Sequence, residues 1–408
     1  MKKILVLTSI YPGDDVPKGF TSVVHYFTKE WVKMGYFVRV IHCCTYFPSA
    51  YYMAPKWLRD MVQNRFGIAL PEKRLDKELE YDIEGVSVYR LPMKKLIPMS
   101  SFSEGTLKSA CSLADKYLQE KSFIPDYIIS HWVNPQLFLM SYLKHVTKAV
   151  TTMVLHETGS NISSSFANWK ELVSDVDVWG YRSLPIKSNF EKEFGVKSRS
   201  FRCFSGIPEY YTNNVVHRDG VFHDRFVQVG LLMDRKFPNR TIDAINLVYK
   251  NKDYSLSFVG DGAMRDALEK QITNLDAREK IKVLGRLPRQ EIIPLLDQSD
   301  VFILISRDEV FGLVYIEAMS RGCIVVASRE EGMEGIIVNG KNGFLCEAGN
   351  AEELASVIVY IRSLSNQERM AISDAAIATS QLLTDVKVAK NYIETVVDYG
   401  EQLRTKGN

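Results

Sequence analysis

VFILISRDEVFGLVYIEAMSRGCIVVASREEGMEGIIVNGKNG, residues 301–343, contains two short apolar runs separated by an amphipathic segment. Val301 to Ile305 reads as a buried strand, a polar hinge follows, Phe311 to Ser320 keeps helical register, and Ile324 to Ala327 reads as a second buried strand. That is a βαβ unit. Within it Glu309 lies ahead of the predicted helix and Glu317 about two turns further on, so both carboxylates can face one cleft. Gly312 allows a ligand close to the helix start, where free N–H groups and the positive dipole end favour an anion. The spacing alone favours a glutamate that merely complements the dipole and a second one on a solvated helix face.

The wording around the two glutamates is more specific. Glu309 to Arg329, EVFGLVYIEAMSRGCIVVASR, closely resembles the E-x7-E region of family 4 glycosyltransferases, which are retaining, nucleotide-sugar-dependent enzymes of the GT-B fold. The resemblance implies an α/β chain with two Rossmann-like doubly wound domains facing a central cleft.

Composition is compatible with that size of molecule. A chain of 408 residues exceeds one ordinary core, and 46% hydrophobic with 25% charged residues is the balance of a soluble globular protein. No apolar run reaches the length of a membrane span, and the opening MKKILVLTSIYP reads as a strand, not a signal peptide. Cys43, Cys44, Cys111, Cys203, Cys323 and Cys346 show no CxxC or metal-ligand spacing, which predicts a reduced, cytoplasmic protein without a metal site. Residues 1–206 hold 27 Lys+Arg against 20 Asp+Glu, whereas the remainder holds 24 against 29. The basic first half suits ordinary solvated surface, an anionic acceptor or acidic lipid headgroups.

Lys3 to Ser9 and Phe37 to His42 read as strands on either side of a helix over Val23 to Met34. The turn-rich loop Ile10 to Gly19 leaves the carboxyl end of the first strand, where doubly wound folds place ligands. In the resembled family this loop carries paired glycines near the donor phosphate; here Gly19 is followed by Phe20. Residues 46–74 interleave aromatic and basic side chains, a pattern that fits either an interfacial membrane segment or a lid packed on its own domain. Nucleic acid is disfavoured, since neither a strong basic excess nor a binding module is present.

Tyr127 to Ser130 and Val150 to Leu155 are further strands that end in His131 and His156. Family resemblance assigns His156 to the transferred sugar or acceptor, with His131 behind it. Ser205-Gly-Ile-Pro208 is similar to the turn that leaves the family's first domain, and Gly230 to Lys236 to its Gly-Arg-Leu-x-x-x-Lys segment. Lys236 matches the lysine that holds the donor diphosphate; Leu231 stands at the arginine position, and the adjacent Arg235 is a candidate for the second cation. Gly285-Arg-Leu287-Pro288 resembles the segment beside the nucleotide base, and Asn339 to Leu345 the family's Asn-Gly-x-Asn-Gly turn.

Taken together, the resemblance implies an acceptor domain at 1–205, a nucleotide-sugar domain at 206–385 and a terminal helix, 386–408, that returns to the first domain. It implies glycosyl transfer from a UDP- or GDP-sugar to a surface glycan or lipid-linked acceptor, without metal or bound cofactor. Glu309, His156 and Lys236 would serve the chemistry. Gly19, Arg235, Lys236, Leu287, Phe311, Gly312, Leu313 and Glu317 would hold the donor. A sugar-nucleotide epimerase of the same fold and a non-catalytic nucleotide-sugar-binding subunit are the alternatives.

Overall fold

Apolar runs such as Val150–Leu155 and Val301–Leu304 become interior strands of two separate sheets, because a strand covered on both faces needs predominantly apolar side chains. The structure, a computed structural model, describes residues 1–14, 16, 23–59, 61, 73–97, 100–157, 162–215, 217–250 and 252–406. It divides into two units. The first comprises residues 1–182, 186–203 and 389–408; the second comprises 183–185 and 204–388.

The first unit holds β1 (Lys3–Thr8), β2 (Phe37–Tyr46), β3 (Leu79–Ile83), β4 (Val86–Lys94), β5 (Tyr127–His131), β6 (Val150–Leu155), β7 (Val178–Tyr181) and β8 (Ser200–Arg202). Their order is β3-β4-β2-β1-β5-β6-β7-β8, parallel throughout except for the β3/β4 hairpin. Helix Val23–Lys33 turns Val23, Val24, Phe27 and Trp31 inward. The end of helix Asp385–Lys406 belongs to this unit: the Trp31 indole donates to the Ala389 carbonyl at 2.8 Å. Gly400 passes the Tyr127 ring where a Cβ would come within 2.6 Å, so the helix depends on that missing side chain.

The second unit is a six-stranded parallel sheet ordered β11-β10-β9-β12-β13-β14, with β9 (Arg225–Val229), β10 (Ser255–Val259), β11 (Ile281–Val283), β12 (Val301–Leu304), β13 (Ile324–Ser328) and β14 (Phe344–Cys346). Val301 pairs in register with Ile324 and with Phe226. Helix Leu313–Ser320 joins β12 to β13 and starts two residues later than its apolar pattern predicts. The delay has a cause: Gly312 lies at φ +81, outside helical space, and Phe311 is spent in the core at 3% exposure. All six cysteines are buried and free, as small hydrophobes. Among the described residues no helix is long and apolar enough to cross a membrane.

Candidate active site

In the second unit the strand order reverses at β9, which pairs with β10 on one side and β12 on the other. Loops leaving the carboxyl ends of two strands flanking such a switch point diverge and leave a crevice. Here they are 230–237 after β9 and 305–312 after β12. They are tied together: the Arg307 N–H donates to the Arg235 carbonyl at 2.8 Å, and the Arg235 guanidinium donates to the carbonyls of Arg307 and Asp308 at 3.3 Å each.

Lys236 forms an ion pair with Glu309, the two side chains only 10% and 13% exposed. Ser306 Oγ donates to the same carboxylate oxygen at 3.2 Å. The backbone N–H groups of Asp308 and Glu309 donate to Glu331 at 3.0 and 2.7 Å, which fixes the 305–312 loop. Tyr315, whose hydroxyl is pushed far up first by burial and then by Glu309, keeps its proton and donates to the Leu304 carbonyl at 2.7 Å. A Cβ at Gly312 would lie 2.4 Å from the Tyr315 ring, so this position admits glycine only. The result is a rigid carboxylate and a cation at the threshold of a helix N-terminus.

Glu317 lies on the following helix and is 3% exposed, not on a solvated face. Its Oε1 accepts from Arg289 Nε at 3.1 Å, with a second, shorter contact from the same guanidinium; its Oε2 accepts from the Tyr211 hydroxyl at 3.3 Å. Although burial works against its charge, Arg289 is held above its ordinary range by Glu317. Tyr211 is pushed up by burial and then by Glu317. Leu287 lies half-buried two residues before Arg289. Glu309 and Glu317 thus have separate partners. Glu317, read from sequence as open to a ligand, already has protein donors on both oxygens.

In the first unit, the neighbouring strands β5 and β6 lead to His131, the last residue of β5, and His156, the residue directly after β6. His131 Nδ1 lies 2.9 Å from His156 Nε2, and the Tyr392 hydroxyl lies 3.3 Å from His131 Nε2. The Trp132 ring stacks on His156 at 4.0 Å between centroids and 14° between planes. Burial and then Arg182 hold His131 down at about 3. Burial, His131 and Arg182 hold His156 well below the usual imidazole range. Both rings are neutral at physiological pH.

Gly19 and Phe20 lie outside the described residues, as do Arg65 and Phe66 of the aromatic-basic segment. Leu231, at the arginine position of the resembled segment, is half exposed. Sequence reading missed Arg289, Tyr211 and Glu331. Arg289 immediately follows Gly285-Arg-Leu-Pro288, so that motif was the available signal; nothing local distinguishes Tyr211 or Glu331.

The family described as glycosyl transferases group 1 matches residues 223–378. An uncharacterized glycosyltransferase of Methanocaldococcus jannaschii is 22% identical over 72% of this chain and 79% of its own length. N-acetyl-alpha-D-glucosaminyl L-malate synthase of Bacillus anthracis is 30% identical over 29% of this chain, and the sulfoquinovosyl transferase of Arabidopsis thaliana 27% identical over 57%. Those two matches span 31% and 41% of the relatives' own lengths. Among solved structures, a glycosyltransferase from Rickettsia africae superposes with a TM-score of 0.68 at 15% identity, covering 98% of both chains. The Anabaena protein HepE in complex with UDP superposes at 0.66 and 19%, covering 98% of this chain and 100% of its own. Residues 223–378 therefore match the family described as glycosyl transferases group 1, and the chain has the GT-B fold.

Proposed function

We propose that the protein transfers a sugar from a nucleoside diphosphate to a hydroxyl of a surface glycan or its lipid-linked precursor, with retention at the anomeric carbon. The observation that carries this reading is the buried Lys236–Glu309 pair beside the Gly312 helix start, inside the segment matched by the family.

The reaction breaks the bond from the anomeric carbon to the diphosphate oxygen and forms one to the acceptor oxygen. Charge develops on the departing diphosphate and, with opposite sign, on the sugar. Lys236, with Arg235, takes the diphosphate, and the N–H groups at Gly312 and Leu313 add a dipole of the same sign. Phe311 is buried and backs this turn. Once Lys236 turns to phosphate, Glu309 is free to accept from sugar hydroxyls and orient the anomeric carbon. Glu317 serves the ribose hydroxyls through lone pairs left by Arg289 and Tyr211, and Leu287 lies against the base. His156 is assigned to the transferred sugar. The acceptor proton passes to the departing phosphate, so no carboxylate is required as base.

The donor is a UDP- or GDP-sugar and no metal is needed, because protein cations and helix amides supply the positive charge. Peripheral attachment to a membrane presenting the acceptor fits the exposed Trp57, Leu96 and Ile97 beside lysines of the basic first unit.

The test is a thermal-shift panel of UDP-, GDP- and ADP-sugars, in which a ligand at 100 times its Kd adds about 2.7 kcal/mol. Incorporation of the labelled sugar of the stabilising donor into membrane extract then follows. Transfer supports the proposal. Conversion of the donor to an isomer without acceptor replaces it with an epimerase, and donor binding that never leads to consumption replaces it with a binding subunit.

A further inference from the structure

We infer that His156 is held as the Nδ1–H tautomer and meets its substrate as a hydrogen-bond donor, not as a base; the substrate clause rests on the glycosyl-transfer reading above. The argument starts at the far end of the chain of contacts. Tyr392 is 3% exposed on the terminal helix and is ringed by Phe27, Trp31 and Phe201, with ring centroids 5.0–5.2 Å away. None of these rings offers the phenol an oxygen or a bare nitrogen. Of the groups near its hydroxyl, Arg182 can only donate and the Cys203 thiol is a weak acceptor that already faces the Arg182 guanidinium at 3.9 Å; the hydroxyl's hydrogen-bond partner among the described residues is His131 Nε2. A buried hydroxyl left without an acceptor is costly, so the phenol proton goes to that nitrogen.

The direction then propagates. His131 is fully buried beside Arg182, surroundings that keep the ring neutral, and a neutral imidazole carries one proton. With Nε2 accepting from Tyr392, the proton of His131 is on Nδ1, which faces His156 Nε2 at 2.9 Å. His156 Nε2 is therefore the acceptor, and the proton of neutral His156 is on Nδ1.

Two features fix the ring as well as its tautomer. Trp132 covers one face of His156 at 4.0 Å, and it does so from a left-handed backbone conformation, φ +65, that a bulky side chain rarely adopts. Its own N–H is anchored on the Val154 carbonyl at 3.3 Å. Strain kept at the end of a strand, directly against an aligned histidine, marks a held group and not a loose one. Nδ1 has no hydrogen-bond partner among the described residues, so its proton is available to an oxygen of a ligand, a hydroxyl or a phosphoryl group. The Nε2 lone pair is already committed to His131. His156 thus cannot take the acceptor proton, and His131 and Tyr392 are positioning residues that set its polarity.

The protein labelled with 15N in its histidine rings tests this by long-range 1H–15N correlation, which reports which ring nitrogen bears the proton. His156→Asn identifies the His156 signals by their loss. The expected result between pH 6.5 and 8 is a protonated Nδ1 and a bare Nε2 on His156. Tyr392→Phe removes only the phenol oxygen and should convert this single tautomer into an averaged pair. A wild-type His156 protonated at Nε2, or a Tyr392→Phe protein whose His156 keeps an unchanged single tautomer, overturns the inference. The measurement needs no substrate: absence of sugar transfer would sink the glycosyl-transfer reading alone, and a reversed tautomer would sink this one alone.

Discussion

Arg289 and Glu317 meet through the guanidinium Nε and one carboxylate oxygen at 3.1 Å, with the carboxylate buried and the arginine one-third exposed. The pair clamps helix Leu313–Ser320, after β12, to the first residue of helix Arg289–Gln298, after β11. It also means that the glutamate assigned to ribose is held in position before any ligand arrives, and a pre-oriented acceptor loses less entropy on binding.

Glu317→Ala should therefore raise KM for the donor more than it lowers kcat, because ribose hydroxyls are contacted equally in ground and transition states. An unchanged KM with a collapsed kcat would reject the ribose role. Arg289→Ala tests the clamp itself: it leaves a buried carboxylate with Tyr211 alone. The loss should be about 2 kcal/mol in urea unfolding, below the range for a fully buried pair because Arg289 is partly solvated.

Lys236→Met should cost about 3 kcal/mol of stability, since it strands Glu309 in a nearly enclosed site. Adding Glu309→Gln should restore part of that loss. A double variant no more stable than Lys236→Met would show that the two charges are not energetically coupled. Neither protein should transfer sugar.

Turnover should survive EDTA, since the proposed reading gives Lys236, Arg235 and the Gly312 helix start the charge-stabilising role of a divalent ion. Activity abolished by chelation and restored by manganese or magnesium would overturn the assignment.

Stability should fall as the solution is acidified below about pH 6.5. His131 and His156 have folded pKa values depressed below the unfolded value of about 6.5, so between the two values the unfolded chain binds more protons and gains on acidification. Their contribution is complete above about pH 6.5 and declines towards about pH 3 for His131. At pH 5.5 His131 alone should account for about 1.4 kcal/mol. The groups facing the pair are Arg182 and Tyr392, neither of which titrates in this window. Urea midpoints at pH 7.5 and 5.5, compared with those of His131→Asn, measure the term. An equal pH response in both proteins would refute it.

Replacing Trp57 by serine should weaken binding to acidic liposomes, and Lys56→Gln with Arg59→Gln should weaken it most at low salt, where screening is least. Donor binding, assigned to the second unit, should persist. A wild-type protein that ignores acidic liposomes at low salt would point to a soluble acceptor.

Much of the architecture is local and was therefore legible. Val301 to Leu304 and Ile324 to Ser328 are apolar without alternation because both faces are covered, and Val150–Leu155 and Arg225–Val229 appear with the predicted bounds. The start of the helix after Phe311 was misjudged by two residues, because Gly312 and the burial of Phe311 compete with its propensity.

Around the candidate site the division is different. Resemblance to the family's motifs, read on segments that follow strand ends, brought Lys236, Glu309, Glu317 and His156 forward; their spacing alone did not single them out. Sequence could not say what each of them touches. Glu317 is answered by Arg289 and Tyr211, 28 and 106 residues away, and His131 by Tyr392, 261 residues away. No periodicity encodes those distances. They come from the first residue of helix Arg289–Gln298, from the turn Glu209–Tyr211 ahead of β9, and from the terminal helix of the first unit. Only in three dimensions do these become hydrogen bonds with a direction. The chain alone thus determined which elements form and which groups reach the site's edge. The tertiary structure decided which lone pairs and protons those groups still have to offer, because that depends on neighbours brought together by folding.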